Sequence, residues 1–360
     1  MFAFEDQDQR FAAAFEILNN AIAARSFPGA SVAVTYRGEI VALKGFGKFT
    51  YGKDSRKVGT ETIYDLASVT KVVATTAMAM VLFERGELNL EAKVVDLLPE
   101  LETGDERRKE ITLRMLLAHS SGLPGYEKLF ERAKTRDALI HAAATAPLAR
   151  DPMSEAEYSD IGFLLLGEIL AKLASEPLDS FCRHEIFDPL GMEHTGYLPD
   201  ESWRDRIPPT VRDESFRKKI VQGEVHDENA WVMDGVSGHA GVFASAYDVS
   251  LFALCMLRMG SPILRARTVT RFTQRESAPA GTSRALGWDT PSNPSQSGKY
   301  FGPRSFGHLG YTGTSLWCDP GRQLSITLLT NRVWPDCSSQ AIKEVRPRFH
   351  NAVIEALEGS

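Results

Sequence analysis

The sequence has little cysteine and no apolar run long enough for a membrane span. Its four cysteines, Cys182, Cys255, Cys318 and Cys337, lie far apart and form no Cys-x-x-Cys pair. This spacing indicates neither a structural zinc site nor a thiol redox pair, and we expect buried or incidental thiols. The longest apolar run, 72–83, is shorter than the roughly 20 residues that cross a bilayer, so we expect a core helix and no membrane partner.

The sequence also lacks a large excess of positive or negative charge. The 41 Lys and Arg residues stand against 47 Asp and Glu, a formal net charge of -6, and the basic residues form no cluster. A nucleic-acid surface or a polybasic membrane segment needs such a cluster, so we expect no nucleic-acid partner. With 43% apolar residues, the chain of 360 is long enough for one large domain or two closely packed ones.

The N-terminus lacks the pattern of a secretory signal. Residues 1–10 contain no basic segment and no apolar stretch of signal-peptide length, and their first charges are acidic. We therefore expect a cytoplasmic protein, or a periplasmic one if a leader has been removed.

The periodicity of apolar residues predicts helices and strands, and their order indicates the fold. The predicted segments are a helix over 8–26, strands over 30–36 and 39–46, helices over 72–83, 112–118, 137–144 and 162–173, strands over 313–318 and 324–331, and a helix over 340–357. An interruption of the last helix at Pro347 is left open. Between about 175 and the C-terminal strands, no strand pattern is evident.

This order predicts an α/β (α+β) fold in which both ends of the chain complete one antiparallel sheet. Helices at the N- and C-termini flank the sheet, and a large helical domain is inserted between its strands. We assign 1–65 together with 235–360 to the sheet domain and 66–234 to the helical insertion. A site is then expected in the crevice between the two.

A Ser-x-x-Lys motif, Ser68-Val69-Thr70-Lys71, begins the most apolar helix. Positions i and i+3 share a helix face, so the Lys71 amine can reach the Ser68 hydroxyl and take its proton. The start of a helix also directs backbone N–H groups toward developing negative charge. We predict Ser68 as a nucleophile with Lys71 as its partner.

The segment Ser215-Phe216-Arg217-Lys218 fits the same pattern. It lies in the charged stretch 212–219, which we interpret as a solvated surface, whereas a nucleophile needs a rigid, water-poor environment. We therefore prefer Ser68.

The segment Tyr158-Ser159-Asp160 stands at the start of another apolar helix. A phenol and a carboxylate two residues apart can both project into a cleft, where they suit proton relay and orientation of the Lys71 ammonium. The alternative is a purely structural helix cap.

We interpret a third segment, His308-Leu309-Gly310, as a strand edge just before the predicted strand 313–318. A glycine at this point lets the backbone approach a ligand, and the next N–H, that of Tyr311, can complete an oxyanion hole. The segment His239-Ala240-Gly241 fits the same bare pattern, but we interpret it as a glycine-rich turn with a structural histidine.

Together the three motifs resemble those of class C β-lactamases, D-Ala-D-Ala peptidases and β-lactamase-like esterases. The resemblance covers nearly the whole chain and includes the segment Leu-Leu-Ala-His-Ser-Ser-Gly-Leu-Pro at 116–124 and segments at 225–230 and 238–241. It implies a β-lactamase/transpeptidase-like fold and a serine hydrolase without a metal or organic cofactor.

The resemblance also implies a role for each matching residue. Ser68 is acylated, Lys71 is its base or electrostatic activator, and Tyr158 carries a proton to the leaving group. The backbone N–H groups of Ser68 and Tyr311 form the oxyanion hole. Whether Lys71 or Tyr158 is the general base stays open. The positions implied in substrate binding are Asp160, His308 and Gly310.

Two departures from the β-lactamase pattern bear on the substrate. Asp160 replaces an Asn, so an amide donor becomes an acceptor-only carboxylate. His308 and Leu309 replace Lys and Thr, so a fixed positive charge and a hydroxyl are lost. Both changes weaken recognition of a β-lactam.

We therefore expect a carboxylesterase that acts on small acyl esters through a Ser68 acyl-enzyme. We also expect penicillins to acylate Ser68 and to be released from it slowly. The alternatives are a D-Ala-D-Ala carboxypeptidase, a weak β-lactamase, or a non-catalytic module that binds a peptidoglycan fragment or a protein. The intact Ser68, Lys71 and Tyr158 disfavour the last, and the lack of a Gly-x-Ser-x-Gly motif argues against an α/β-hydrolase. The expected ligand is a small ester, peptide or β-lactam, and no oligomeric state is predicted.

Overall fold

The structure is a computed structural model that describes residues 6–359. Ten strands are present among these residues: β1 (Gly29–Tyr36), β2 (Glu39–Gly47), β3 (Ile63–Asp65), β4 (Thr195–Tyr197), β5 (Val211–Asp213), β6 (Lys219–Val221), β7 (Val242–Ser245), β8 (Phe306–Leu309), β9 (Ser315–Asp319) and β10 (Leu324–Thr330).

The helices occupy the ends of the chain and most of its middle. The α-helices are α1 (Gln7–Arg10), α2 (Ala12–Ala23), α3 (Ala77–Arg85), α4 (Val94–Leu97), α5 (Leu113–Leu117), α6 (Leu129–Arg132), α7 (Arg136–Ala144), α8 (Asp160–Ala174), α9 (Leu178–Cys182), α10 (Glu228–Val232), α11 (Ala246–Leu257), α12 (Ala266–Thr273) and α13 (Ile342–Glu358). Short 3₁₀ segments cover Ala67–Val69, Pro99–Leu101, Glu106–Glu110 and Glu201–Arg206, and π-helical segments cover Lys71–Thr76 and Arg183–Phe187.

Both ends of the chain build the main sheet, as the sequence predicts. Its five antiparallel strands have the order β2-β1-β10-β9-β8, and Ala30 near the N-terminus pairs with Thr330 near the C-terminus. The terminal helices α2 and α13 pack against each other over one face, and α11 covers the other. The predicted α/β fold with flanking terminal helices is confirmed. The exact domain boundaries at 66–234 stay a prediction.

The middle of the chain departs from the prediction in its strands. Four short strands, β4 to β7, lie where no strand pattern is evident, so that expectation was wrong. Strands β3, β7 and β4 form a three-stranded sheet, and β5 and β6 form a hairpin. Segments of three or four residues are too short to show an alternating pattern of apolar and polar residues.

The last helix is not interrupted at Pro347. Helix α13 runs continuously through this residue. A proline lacks the N–H that would bond to the carbonyl four residues earlier. That carbonyl, of Lys343, accepts a hydrogen bond from Gln296 Nε2 at 3.0 Å instead. A side chain from another segment therefore satisfies the acceptor that the proline leaves free.

A helix at the centre of the fold, Ala67–Arg85, extends beyond the predicted 72–83. By length and composition it could cross a membrane, but 83% of its most apolar window is buried inside the protein. Its side chains belong to the main apolar core together with those of α8 and α11. The expectation of a core helix is confirmed.

Candidate active site

Ser68 stands at the first turn of the helix Ala67–Arg85, directly after β3. The preceding residue, Ala67, has a φ of 47°, a left-handed conformation that costs energy for a residue with a Cβ. Its N–H donates to Asp65 Oδ1 at 2.8 Å, which holds this turn in place. Because first-turn N–H groups have no partner within the helix, the Ser68 amide is free to bind an oxyanion.

Lys71 is fully buried beside Ser68, and its Nζ contacts three acceptors. The distances are 3.0 Å to Ser68 Oγ, 2.6 Å to Asp160 Oδ1 and 2.9 Å to the backbone oxygen of His239. Three acceptors match the three N–H donors of an ammonium group. Burial lowers the pKa of Lys71 below the ordinary 10.5, and the Asp160 carboxylate opposes this shift. A larger share of Lys71 is therefore neutral near pH 7 than of an exposed lysine, and only the neutral amine can accept the Ser68 proton.

Tyr158 lies at the N-terminus of α8, next to the Lys71 amine. The adjacent Ser159 caps the helix, since its Oγ accepts from Gly162 N at 2.9 Å. The Lys71 Nζ is 4.9 Å from the centre of the Tyr158 ring. The Tyr158 hydroxyl is buried, and Ser68 and Asp160 lie close enough to it for both side chains to act on its pKa. Burial, reinforced by Asp160, raises its pKa well above 10.0, so Tyr158 is a neutral phenol that can donate a proton.

The segment 116–124 holds the residues at the start of α8 in place. His119 Nδ1 accepts from the backbone N–H of Ser159 at 3.0 Å, and the Pro124 carbonyl accepts from Ser159 Oγ at 2.7 Å. Burial, with Arg284 second, lowers the pKa of His119 well below 6.5, which keeps its ring neutral. The segment thus orients the chain on which Tyr158 and Asp160 lie.

The third motif lies against the segment that precedes Ser68. The side chains of Thr312 and Thr314 donate to the carbonyls of Asp65 and Leu66, both at 2.8 Å. A Cβ at Gly310 would be 2.5 Å from the Leu66 oxygen, so only glycine fits there. The close approach brings the Tyr311 backbone to the Ser68 side of the sheet edge.

His308 faces the site as a neutral ring. Its Nδ1 donates to the Leu309 carbonyl at 2.8 Å, and burial followed by Lys71 and Arg284 lowers its pKa well below 6.5. Its ring centre is 5.9 Å from that of Tyr158. The position therefore supplies no fixed charge, as the sequence predicts.

Ser215 and Lys218 are not brought together. They are exposed in the loop between β5 and β6, and Lys218 has a φ of 54°. The interpretation of the stretch as fully solvated was wrong in one respect. The Arg217 side chain is buried against Asp213, with Nε 3.0 Å from Oδ2.

Two cavities meet at Ser68. The larger, about 880 Å³, extends past Asp160, Asp227 and the exposed rings of Tyr126 and Tyr311. The smaller, about 390 Å³, extends past His308 and Gly310 and ends at basic residues. The two cavities could hold the two parts of a substrate on either side of a scissile bond.

The basic end of the smaller cavity was not found from the sequence. Arg332 and Arg346 are 5% and 3% exposed, and within residues 6–359 neither has a carboxylate within 4.0 Å. Arg332 Nε donates to the Tyr311 carbonyl at 2.7 Å, and Arg346 donates to the Thr314 carbonyl at 3.1 Å. Burial, with Arg332 second, lowers the pKa of Arg346 to about 9, which still leaves it charged at neutral pH. Two buried cations without a counter-ion favour an anionic ligand group.

Comparisons with known proteins agree with this arrangement. The β-lactamase family profile matches residues 12–343. An N-acetylmuramyl-L-alanine amidase from Bacillus subtilis (strain 168) is 35% identical over 350 residues, which cover 86% of this chain and 78% of the amidase. A putative D-alanyl-D-alanine carboxypeptidase from Salmonella agona (strain SL483) is 31% identical over 306 residues, 76% of this chain and 70% of that protein.

The fold also matches solved structures. A class C β-lactamase from Rhodobacter sphaeroides superposes with a TM-score of 0.74 at 22% identity, covering 97% of this chain and 99% of that chain. The fold and the relatives define a serine hydrolase. The chain belongs to the β-lactamase family.

Proposed function

We propose that the chain hydrolyses an amide bond of a peptidoglycan-derived fragment through an acyl-enzyme on Ser68. The observation that carries the chemistry is the hydrogen bond between Lys71 Nζ and Ser68 Oγ at 3.0 Å. In the neutral form, Lys71 takes the Ser68 proton while Ser68 Oγ attacks the carbonyl carbon. The amides of Ser68 and Tyr311 donate to the resulting oxyanion.

The leaving amine needs a proton, and in this mechanism the Tyr158 phenol supplies it. Its raised pKa keeps the phenol protonated, and Lys71 beside it returns the proton taken from Ser68. The C–N bond then breaks, and the acyl group stays on Ser68 Oγ. Water releases the acyl group as a carboxylic acid by the reverse sequence of proton transfers.

The choice of an amide rests on the relatives and on the basic end of the smaller cavity. The two relatives named above carry names of amide-cleaving enzymes, and the amidase covers more of the chain. The expectation of a small ester rested on the absence of a fixed anchor at His308 and Asp160. Arg332 and Arg346 supply positive charge that those positions lack. A carboxylate on the leaving group fits the smaller cavity, and the acyl part fits the larger one.

The test is to measure kcat/KM side by side for an N-acetylmuramyl-L-alanine peptide, a D-Ala-D-Ala peptide, p-nitrophenyl butyrate and nitrocefin. We expect one of the two amides to exceed the ester at least tenfold, about 1.4 kcal/mol of transition-state binding. An ester value above both amides would instead support the carboxylesterase that remains the second candidate.

The basic cavity is tested separately with two arginines of α13. Arg346→Gln should raise KM for the carboxylate-bearing peptide about tenfold, as expected when a charge-assisted contact is lost, and leave KM for the neutral ester unchanged. Arg348→Gln is the matched control, because Arg348 is exposed on the same helix. Equal effects of both variants on the peptide would contradict an anion-binding role for Arg346.

A further inference from the structure

The glycine-rich turn at 235–241, which we interpret from the sequence as a structural feature, contacts Lys71. The 235–241 loop is bonded to the helix Ala67–Arg85 at two points, and a third hydrogen bond follows directly after the loop. Lys71 Nζ donates to the His239 carbonyl at 2.9 Å, and Thr75 Oγ1 donates to the Gly238 carbonyl at 2.6 Å. Thr70 Oγ1 accepts from Val242 N at 3.1 Å, just beyond the loop.

The loop is also confined from the other side. A Cβ at Gly238 would lie 2.8 Å from Gly167 Cα in the middle of α8. Only a glycine therefore lets the loop lie between α8 and the helix that carries Ser68. Helix α8 carries Asp160, and the helix Ala67–Arg85 carries Lys71. The loop therefore forms one side of the pocket around the Lys71 amine.

A chain of hydrogen bonds holds the His239 ring in this loop. Its Nε2 is 2.8 Å from Asp227 Oδ1, and its Nδ1 is 2.8 Å from Ser237 Oγ. Burial pushes the pKa of Asp227 upward, but His239 holds it well below its ordinary value, so the carboxylate is charged and can only accept. The Nε2 therefore carries a hydrogen, and in the neutral ring Nδ1 accepts from the Ser237 hydroxyl.

Ser237 cannot serve as a second nucleophile, although the three residues repeat the order of a catalytic triad. It is completely buried, and its backbone carbonyl accepts from the Tyr197 hydroxyl at 3.2 Å. A buried hydroxyl does not reach a substrate carbonyl. The polar chain is linked to the active site through the His239 backbone carbonyl, which accepts from the Lys71 amine.

We propose that the chain Asp227–His239–Ser237, here called the His239 relay, is a positioning device for Lys71. A neutral lysine amine has two N–H groups and one lone pair. When Asp160 and the His239 carbonyl accept from the two N–H groups, the lone pair points to Ser68. The His239 relay fixes the position of the His239 carbonyl. This inference rests on the proposed function of Lys71 as the base.

The test measures kcat and KM for p-nitrophenyl butyrate together with the melting temperature. His239→Ala should lower kcat about 10- to 100-fold with unchanged KM, the scale for a catalytic group displaced by about 1 Å. Asp227→Ala should act in the same direction. Asp227→Asn should be closer to wild type than Asp227→Ala, because its amide oxygen still accepts from the ring and still caps α10.

The matched control is His350→Ala. His350 is a fully buried histidine on α13, and its Nδ1 is bonded to the Ser297 carbonyl at 3.1 Å. This variant should lose thermal stability and keep wild-type kcat. A folded His239→Ala with wild-type kcat would overturn the relay, as would a change in KM alone or equal activities of Asp227→Asn and Asp227→Ala.

The asparagine and alanine variants of Asp227 decide the matter if His239→Ala does not fold. Failure of the relay is distinct from failure of the proposed function. If Ser68→Ala keeps turning over the ester, the acyl-enzyme is wrong whatever the relay variants do. If Ser68→Ala is inactive and the relay variants match wild type, only the relay is wrong.

Discussion

Two segments of this chain share the spacing Ser-x-x-Lys, and they differ in almost every physical respect. Ser68 and Lys71 lie within a buried helix, where the amine and the hydroxyl are 3.0 Å apart. Ser215 and Lys218 lie in an exposed hairpin loop, where the Ser215 hydroxyl is 3.4 Å from Asp213 Oδ1 instead. Spacing brings two side chains together only where a helix gives them a common face.

The electrostatic surroundings separate the same two segments. Lys71 is desolvated and surrounded by fixed acceptors, which lowers its pKa. Lys218 is exposed, so water can solvate its ammonium group freely. A motif therefore becomes a catalytic pair through burial and neighbours that lie far away in the sequence.

The largest expected effect comes from removing each serine. Ser68→Ala should lower turnover of p-nitrophenyl butyrate about 10⁴-fold or more, because no oxygen remains to form the acyl-enzyme. Ser215→Ala should leave kcat for this small ester unchanged. Steady-state rates of the two purified variants make the comparison, and loss of activity in Ser215→Ala alone would reverse the assignment.

The groups that move protons should give the next largest effect. Lys71→Ala and Tyr158→Phe should each slow the chemical step about 10²- to 10⁴-fold, the scale for losing a positioned acid or base. Lys218→Ala serves as the control and should have wild-type rates. Single-turnover kinetics report the step directly. Wild-type rates in both Lys71→Ala and Tyr158→Phe would show that the protons pass through other residues.

A shift in pH dependence is the smallest expected effect. Asp160 raises the pKa of Lys71 against the larger lowering by burial, and Asp227 and Arg284 act on the same amine in opposite directions. In the proposed mechanism the neutral amine is the base, so the rate should fall as pH drops through this pKa. Asp160→Asn removes a raising charge, so the acid limb of kcat/KM should move to lower pH. A shift to higher pH would contradict a neutral Lys71 base.

The three motifs could be found in the sequence because each is short and lies on one element. Ser68 and Lys71 share a helix turn, Tyr158 and Asp160 flank one helix start, and Gly310 directly follows β8. Local spacing and period then suffice to place these side chains. The sheet completed by both termini followed in the same way from the order of the segments.

The rest of the site depends on contacts that no local pattern records. Arg284, Arg332 and Arg346 come from three separate segments and meet only in the folded chain. His239 lies in a turn, as predicted, but its contact with Lys71 joins positions 168 residues apart. A bare His-x-Gly pattern gives no sign of such a contact.

The most direct test of the acyl-enzyme is to label the protein with a fluorophosphonate, digest it and locate the adduct by mass spectrometry. Wild type and Ser215→Ala should carry one adduct on the peptide that contains Ser68, and Ser68→Ala should carry none. An adduct on the peptide that contains Ser215, or an active wild-type enzyme that takes no label at Ser68, would contradict the account.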